Sequence, residues 1–184
     1  MKKLIIHPKD SSTDFLKSIY KGLDEVELYT GKLSSKEVNR LFHHCPETSQ
    51  IILLGHGFEK GLLRRVEKVN EFFYSIIVGH PHVYFLRNHH NTIGIFCNAD
   101  KFARAEGLHG LFTGMIISEL QEAEMFEIKT SKKEINTENV KLALRVRQLL
   151  DEGCLLREFS KRMSELDDIH SELTEFNYSH FYYF

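Results

Sequence analysis

A cysteine and a histidine each follow a short apolar run, and together they could form a nucleophilic site. The run Ile51-Ile52-Leu53-Leu54 leads into Gly55-His56-Gly57, and the run 93–96 ends at Cys97. An imidazole beside a thiol can activate its sulfur for attack on a carbonyl carbon and can then donate a proton to the leaving amine. We therefore take Cys97 as the candidate nucleophile and His56 as the candidate general acid/base.

The same two residue types also have an ordinary structural explanation. A cysteine at the end of a buried strand is most often a small apolar side chain, and a histidine beside glycine is common in turns. The pair carries chemistry only if the fold brings the two side chains together.

The order of the predicted elements indicates that the fold does so. Short apolar runs near residues 3–7, 25–30 and 51–54 alternate with stretches of helical periodicity, and 93–97 is a further core strand. This order is typical of an α/β fold, a three-layer α/β/α sandwich with a mostly parallel sheet. Ligands bind such sheets at the carboxyl ends of the strands. The histidine and the cysteine would both lie at that edge.

The remainder of the chain is predicted to contain both helices and short strands. Apolar spacing predicts a helix from Leu108 to Ala123, and 126–130 has the character of a strand. Two helices, 136–150 and 155–176, predict a C-terminal α-helical hairpin followed by an aromatic tail. We expect an α/β domain over residues 1–130, with the hairpin and tail of residues 131–184 packed on the same domain. The predicted short strands are 61–65 and 72–78, as a hairpin at the sheet edge, and the predicted capping box is Ser34 with Glu37.

Composition excludes several classes of protein. The 184 residues suit one domain, and a formal net charge of -2 gives no electrostatic case for a nucleic-acid partner. No apolar run approaches the length of a membrane span, so we expect no membrane association and a cytoplasmic location. The three cysteines, Cys45, Cys97 and Cys154, include no CxxC pair, which argues against a disulfide framework or a zinc ribbon.

The placement of the two candidate residues resembles a known enzyme class. Gly55-His56-Gly57 after the third core strand and Cys97-Asn98-Ala99-Asp100 after the fourth resemble the caspase/gingipain class of cysteine peptidases, which includes bacterial CHAT-type domains. The resemblance covers roughly residues 1–130. It implies a caspase-like fold, a Cys97/His56 dyad without a cofactor, and an oxyanion hole formed by the backbone amides of Gly57 and Cys97.

The chain also departs from the caspase pattern. The motif Gln-Ala-Cys-x-Gly is absent, and 41 residues separate the histidine from the cysteine (97 − 56), against about 50 in caspases. A caspase-like preference for aspartate therefore does not follow from the resemblance.

Acidic and hydroxyl side chains near the cysteine have two interpretations. Ser118 and Glu119, with Glu122, could form a substrate pocket that selects a basic side chain, or they could be a solvated helix face. Asp100 could line the same pocket or cap the helix that follows Cys97.

Four histidines lie close together in the sequence at His80, His82, His89 and His90. Their spacing matches no common ligand pattern, and no acidic partner is adjacent. We predict no metal site and assign these histidines to surface or capping positions.

Two main functions remain open on sequence grounds; a third, a different α/β enzyme such as a nucleotide-acting hydrolase, would need a phosphate-binding loop at the strand ends, which the sequence does not show. The first is a cysteine endopeptidase that hydrolyses a peptide bond of a peptide or protein substrate, and whose activity could require a homodimer or an activating partner protein. The second is a catalytically idle binding or signalling module on the same fold. A Cys97 sulfur sealed from solvent, or far from the ring of His56, would favour the second function.

Overall fold

A six-stranded sheet forms the centre of the protein. The computed structural model describes residues 1–68 and 71–184. The strand order in this sheet is β2-β1-β3-β7-β8-β9, and every pair is parallel except β8 with β9. Its strands are β1 (Lys3–Ile6), β2 (Val26–Tyr29), β3 (Gln50–Leu54), β7 (Thr92–Ile95), β8 (Gly110–Thr113) and β9 (Phe181–Tyr183).

Helices cover both faces of this sheet, which confirms the predicted three-layer sandwich. Ile5 and Ile52 face a layer that includes Leu142, whereas Leu4 and Ile51 face the opposite layer. The strands are almost continuous apolar runs because both of their faces are buried. The helices are α1 (Lys17–Tyr20), α2 (Ser35–His44), α3 (Val83–Leu86), α4 (Ala99–Glu106), α5 (Leu120–Met125), α6 (Lys132–Asp151), α7 (Phe159–Glu165) and α8 (Glu172–Ser179), with 3₁₀ turns at Ser11–Leu16, His80–His82 and Leu156–Glu158.

The predicted capping box at the start of α2 is confirmed. The N–H of Ser34 donates to the carboxylate of Glu37 at 2.7 Å, and the N–H of Glu37 donates to the Ser34 hydroxyl at 3.3 Å. These reciprocal bonds satisfy backbone donors that the first helical turn leaves unpaired.

A second sheet is built from the segment between β3 and α3. It contains β4 (Gly57–Phe58), β5 (Gly61–Lys68) and β6 (Glu71–Gly79), which pair in antiparallel fashion. The predicted hairpin is therefore present, but it belongs to a separate three-stranded sheet rather than to the edge of the main one.

The predicted helix from Leu108 to Ala123 is wrong. Residues Gly110–Thr113 form β8, and α5 begins only at Leu120. Gly110 has φ +133, and a Cβ atom there would lie 2.1 Å from the carbonyl oxygen of Thr92. The glycine therefore serves close pairing between neighbouring strands, and the helical spacing of the apolar residues around it is coincidental. The predicted strand at 126–130 is also wrong, since these residues connect α5 to α6.

The C-terminal part differs from the predicted hairpin in detail. The helix expected over 155–176 is divided, and Asp167 accepts backbone hydrogen bonds from Ile169 and His170 where α7 gives way to the turn before α8. The aromatic tail forms β9, and the N–H of Phe184 donates to the Gly110 carbonyl at 3.0 Å. Within residues 1–68 and 71–184, the search for helices with the length and apolar character to cross a membrane finds none.

Candidate active site

Cys97 and His56 reach the same place because their strands are neighbours in register. Strand β3 pairs with β7, and Leu54 lies opposite Ile95. His56 and Cys97 each follow these residues by two positions, so both leave the sheet at one level. They line a common cavity of about 30 Å³, which is roughly the volume that one water molecule occupies in the liquid.

The wall of this cavity is mostly apolar. Besides the two candidate residues, it is formed by Thr13, Phe15, Leu16, Gly55, Ile95, Phe96, Ile116, Ser118 and Leu142. A larger groove of about 820 Å³ shares Phe15 and Ser118 with the cavity and extends along α6. The two adjacent spaces together form a cleft, of which Cys97 and His56 line the smaller part.

A sharp turn presents Cys97 at the end of β7. Asn98 adopts a left-handed conformation (φ 59, ψ 28) and begins α4. Its N–H donates to the Gly114 carbonyl, and the N–H of Ala99 donates to the Phe96 carbonyl, each at 3.2 Å. Asparagine tolerates this conformation better than most residues do, which explains its place directly after the cysteine.

The thiol of Cys97 is protonated at neutral pH. Burial raises its pKa to about 11, and the negative charges of Glu122 and Glu119 act in the same direction. The backbone N–H groups of Ile116 and Cys97 itself oppose the rise. The residue as a whole is partly exposed, and it lines the small cavity that it shares with His56. A thiol of this kind needs a base to become a nucleophile.

His56 is held by residues from the turn that follows β1. Its Nε2 atom lies 2.6 Å from the Ser12 hydroxyl and 3.8 Å from a carboxylate oxygen of Asp10. Its ring contacts that of Tyr74 at a centroid distance of 5.6 Å. Cys97 makes no hydrogen bond with His56 among the bonds found for the residues that the structure describes; the two side chains share a cavity.

The backbone amides predicted as an oxyanion hole belong to Gly57, at the start of β4, and to Cys97, just after β7. Leu63 donates to the His56 carbonyl at 2.8 Å, which makes the next pair, Gly57 with Leu62, one of the non-hydrogen-bonded type. The N–H of Gly57 is thus directed away from β5. The N–H of Cys97 lies near its own sulfur.

Glycine at position 57 is required by packing between the two strands that carry the site. A Cβ atom there would lie 2.2 Å from the Phe96 ring and 2.9 Å from the Gly61 carbonyl oxygen. Phe96 immediately precedes Cys97, so the backbone beside His56 packs directly on the residue beside the nucleophile.

Of the other predicted pocket residues, Ser118 and Glu119 line the cleft and Asp100 does not. Ser118 lines both the cavity and the groove, and Glu119 lines the groove. They precede α5 rather than lying within a helix, and their N–H groups donate to the Glu122 carboxylate at 2.7 and 3.0 Å. Asp100 lies in the first turn of α4 and lines neither space.

Two buried asparagines hold the segment that carries Ser118. Asn177 accepts from the N–H of Ile117 at 2.8 Å and donates to its carbonyl at 3.2 Å. Asn139 donates to the Ser118 carbonyl at 3.0 Å. The C-terminal helices therefore fix one wall of the cleft.

The four clustered histidines are dispersed in the fold. His80 pairs with Glu106 at 2.9 Å, and the buried ring of His82 accepts from the Gly79 N–H at 3.0 Å. His89 is buried, and His90 stacks on the ring of His109. Across residues 1–68 and 71–184, a search for three or more histidine, cysteine or acidic side chains arranged to hold a metal ion finds none.

Asp10 and Ser12 are the site residues that sequence reasoning missed. The cluster Ser11-Ser12-Thr13-Asp14 reads as a helix cap, but the capping residue is Asp10, whose carboxylate accepts from the N–H of Ser12. Asp10 and Ser12 follow β1 directly and so lie at the same sheet edge as His56, and this position could have identified them as site residues from the sequence. In comparisons with known proteins, the sequence matches no protein-family model and no curated protein. The geometry of the site is therefore the ground for any statement about function.

Proposed function

We propose that the protein is a caspase-like cysteine peptidase in which Cys97 and His56 act as a catalytic dyad. One observation carries the proposal: the two side chains line one cavity at the carboxyl ends of the adjacent strands β3 and β7. The adjacent groove, which shares Phe15 and Ser118 with this cavity, has a volume of about 820 Å³.

The reaction follows from the protonation states at rest. His56 takes the proton from the Cys97 thiol as the sulfur attacks the carbonyl carbon of the scissile bond. The amides of Gly57 and Cys97 donate to the resulting oxyanion. The imidazolium then gives its proton to the leaving amine, and the thioester that remains is hydrolysed by water activated by the same ring. The raised pKa of the thiol favours transfer of this proton during attack over a standing thiolate–imidazolium pair.

The groove favours a peptide as the substrate. Its walls carry hydroxyl, amide and carboxylate groups beside apolar surface, the mixture that an extended chain with alternating side chains requires. These groups come from Ser118, Glu119, Gln121, Asn136 and Asn139, and the apolar surface from Phe15, Leu120, Ile135 and Val140.

The short contact between Ser12 and His56 raises the alternative that Ser12, rather than Cys97, is the nucleophile. A hydroxyl 2.6 Å from an imidazole nitrogen also describes a serine nucleophile with its base. In such triads, however, the acid contacts the far nitrogen of the ring. Here Asp10 lies beside Nε2 and accepts the Ser12 proton at 2.8 Å. This arrangement supports Ser12 as a partner of the histidine and leaves the cysteine as the nucleophile.

The proposal is tested by a cleavage screen with the full chain. The protein is incubated with a diverse peptide library over a range of protein concentrations, so that activity requiring a homodimer is also detected. New peptide termini are identified by mass spectrometry. We expect one cleavage pattern, absent from Cys97→Ala and from His56→Gln and retained in Cys45→Ala, whose thiol lies in a different cluster beside α2. Cleavage that persists in Cys97→Ala would contradict the proposal, and absence of cleavage by the unaltered chain at every concentration would favour the idle binding module.

A further inference from the structure

A directed chain of hydrogen bonds joins His56 to a carboxylate. The Ser12 hydroxyl lies 2.8 Å from Asp10 Oδ1 and 2.6 Å from His56 Nε2, and the Ser12 N–H donates to the same Asp10 oxygen at 3.1 Å. An ionised carboxylate can only accept, so the hydroxyl donates to Asp10. Its lone pairs then face the ring, and Nε2 must carry the proton that they accept.

The buried charge of Asp10 favours the same position for the ring proton. Asp10 is only 8% exposed, and its Oδ2 atom, 3.8 Å from Nε2, makes no hydrogen bond with the residues that the structure describes. A negative charge at this place stabilises a proton on Nε2 and destabilises a lone pair there. Burial alone would raise the pKa of the carboxyl, but the two hydrogen bonds from Ser12, together with the charges of His56 and Arg65, outweigh it and hold the pKa below its usual value.

The turn that carries both residues is anchored to the core. Asp10 caps the 3₁₀ turn Ser11–Leu16, and the N–H of Thr13 donates to its carbonyl at 3.2 Å. The Thr13 hydroxyl lies 3.2 Å from Nε2 of the buried His7. The serine therefore meets the ring of His56 from a fixed position.

We propose that Asp10 and Ser12 are positioning residues that hold neutral His56 as its Nε2–H tautomer, so that Nδ1 is the nitrogen that takes the proton from Cys97. The proposal rests on the proposed function and assigns the working nitrogen within it. Nδ1 makes no hydrogen bond among those found for the described residues, so it is available. This arrangement also excludes Ser12 as the nucleophile. The Ser12 hydroxyl donates its proton to Asp10, and protonated Nε2 has no lone pair with which to remove that proton.

The test compares ring tautomer with catalysis. The full chain is labelled with ¹⁵N-histidine, the His56 signals are assigned by their loss in His56→Gln, and the two ring nitrogens are read at alkaline pH, where the ring is neutral. The variants are Ser12→Ala, Ser12→Thr and Asp10→Asn. The matched controls are Ser18→Ala on α1 and Asp14→Asn, an exposed carboxylate in the same turn. Cleavage of a library-derived peptide is measured for each.

The outcomes separate this proposal from the proposed function. We expect the Nε2–H form in the unaltered chain and in Ser12→Thr, and a mixed population of both forms in Ser12→Ala and Asp10→Asn. We also expect kcat in these two variants to fall in proportion to the fraction of rings that lose the Nε2–H form, about twofold for an even mixture, with KM nearly unchanged. If the unaltered chain cleaves nothing, the tautomer result still decides the positioning role. An Nε2–H ring that survives in Ser12→Ala, unchanged kcat in that variant, or an acyl adduct found on Ser12 would each overturn the proposal.

Discussion

Replacing His7 with glutamine should remove a pH-dependent part of the stability of this fold. His7 is buried beneath the turn that carries Asp10 and Ser12, and its ring lies 3.0 Å from the Tyr20 hydroxyl. The Thr13 hydroxyl donates to the Asp10 carbonyl, so it accepts from His7 Nε2–H and leaves Nδ1 to accept from Tyr20. Both nitrogens are therefore satisfied in the neutral ring.

The magnitude follows from the lowered pKa. Burial, with the positive charge of Lys17, lowers the pKa of His7 from 6.5 to about 4. The folded state therefore binds fewer protons than the unfolded state between these two pKa values. The contribution of His7 to stability is thus fully present above pH 6.5 and is lost as the pH falls toward 4. The full difference of 2.5 pKa units (6.5 − 4) corresponds to about 3.4 kcal/mol. About 2 kcal/mol of it is lost between pH 7 and pH 5.

A comparison of variants is necessary because another group opposes His7 in the same range. Burial raises the pKa of Glu138 from 4.5 to about 7, despite Arg145 at 3.6 Å. The folded state then binds more protons than the unfolded state between these two pKa values. The contribution of Glu138 to stability therefore falls as the pH rises from 4.5 to 7. The two effects partly cancel in the unaltered protein, whereas the difference between it and His7→Gln isolates the histidine.

The assay is urea unfolding at pH 7, 6, 5.5 and 5, with the exposed His44→Gln as the control. The stability advantage of the unaltered chain over His7→Gln should shrink by about 2 kcal/mol from pH 7 to pH 5, while its difference from His44→Gln stays constant. If the difference in free energy of unfolding between the unaltered chain and His7→Gln is the same at every pH, then His7 is not a buried neutral histidine.

Three further predictions follow from packing and burial around the cleft. Gly57→Ala should cost about 1–3 kcal/mol in the free energy of unfolding because its methyl group meets the Phe96 ring, while Gly31→Ala, where nothing lies within 4 Å, should be nearly neutral; equal unfolding midpoints would contradict this. In His56→Gln, where the proposed base is absent, the thiol of Cys97 should react with iodoacetamide at pH 8 roughly 100-fold more slowly in the native than in the urea-unfolded chain, because its pKa is about 11 rather than 9.0; equal rates, read at that residue by peptide mass spectrometry, would argue against its burial. Asn177→Leu should lower the free energy of unfolding by about 2–4 kcal/mol because two buried backbone groups lose their partners; an unchanged denaturation midpoint would show that water replaces them.

The fold was predictable where local sequence and burial indicate the same structure. The first and third strands are apolar runs ended by proline or glycine, and the capping box at Ser34 marks the start of α2 at the observed position. The alternation of these elements with helices suffices to predict a parallel sheet, and adjacency of β3 with β7 then places His56 beside Cys97.

The rest depends on contacts between distant parts of the chain. Strand β8 is four residues long, and its apolar spacing also fits a helix; what decides is close contact of Gly110 with Thr92, 18 residues earlier. The aromatic tail becomes a strand only because β8 offers it an unpaired edge. Ser12 meets His56 across 44 residues. Hydrogen-bond partners of this kind leave no periodic signal in the sequence.

Covalent labelling asks whether Cys97 attacks a carbonyl carbon with the help of His56. The full chain is treated with a panel of peptidyl acyloxymethyl ketones, and adducts are located by intact-mass and peptide mass spectrometry. We expect a single adduct on Cys97, absent from Cys97→Ala and strongly slowed in His56→Gln. Equal labelling of the unaltered chain and Cys97→Ala, or an adduct that forms on Cys45 or Cys154 instead, would contradict it.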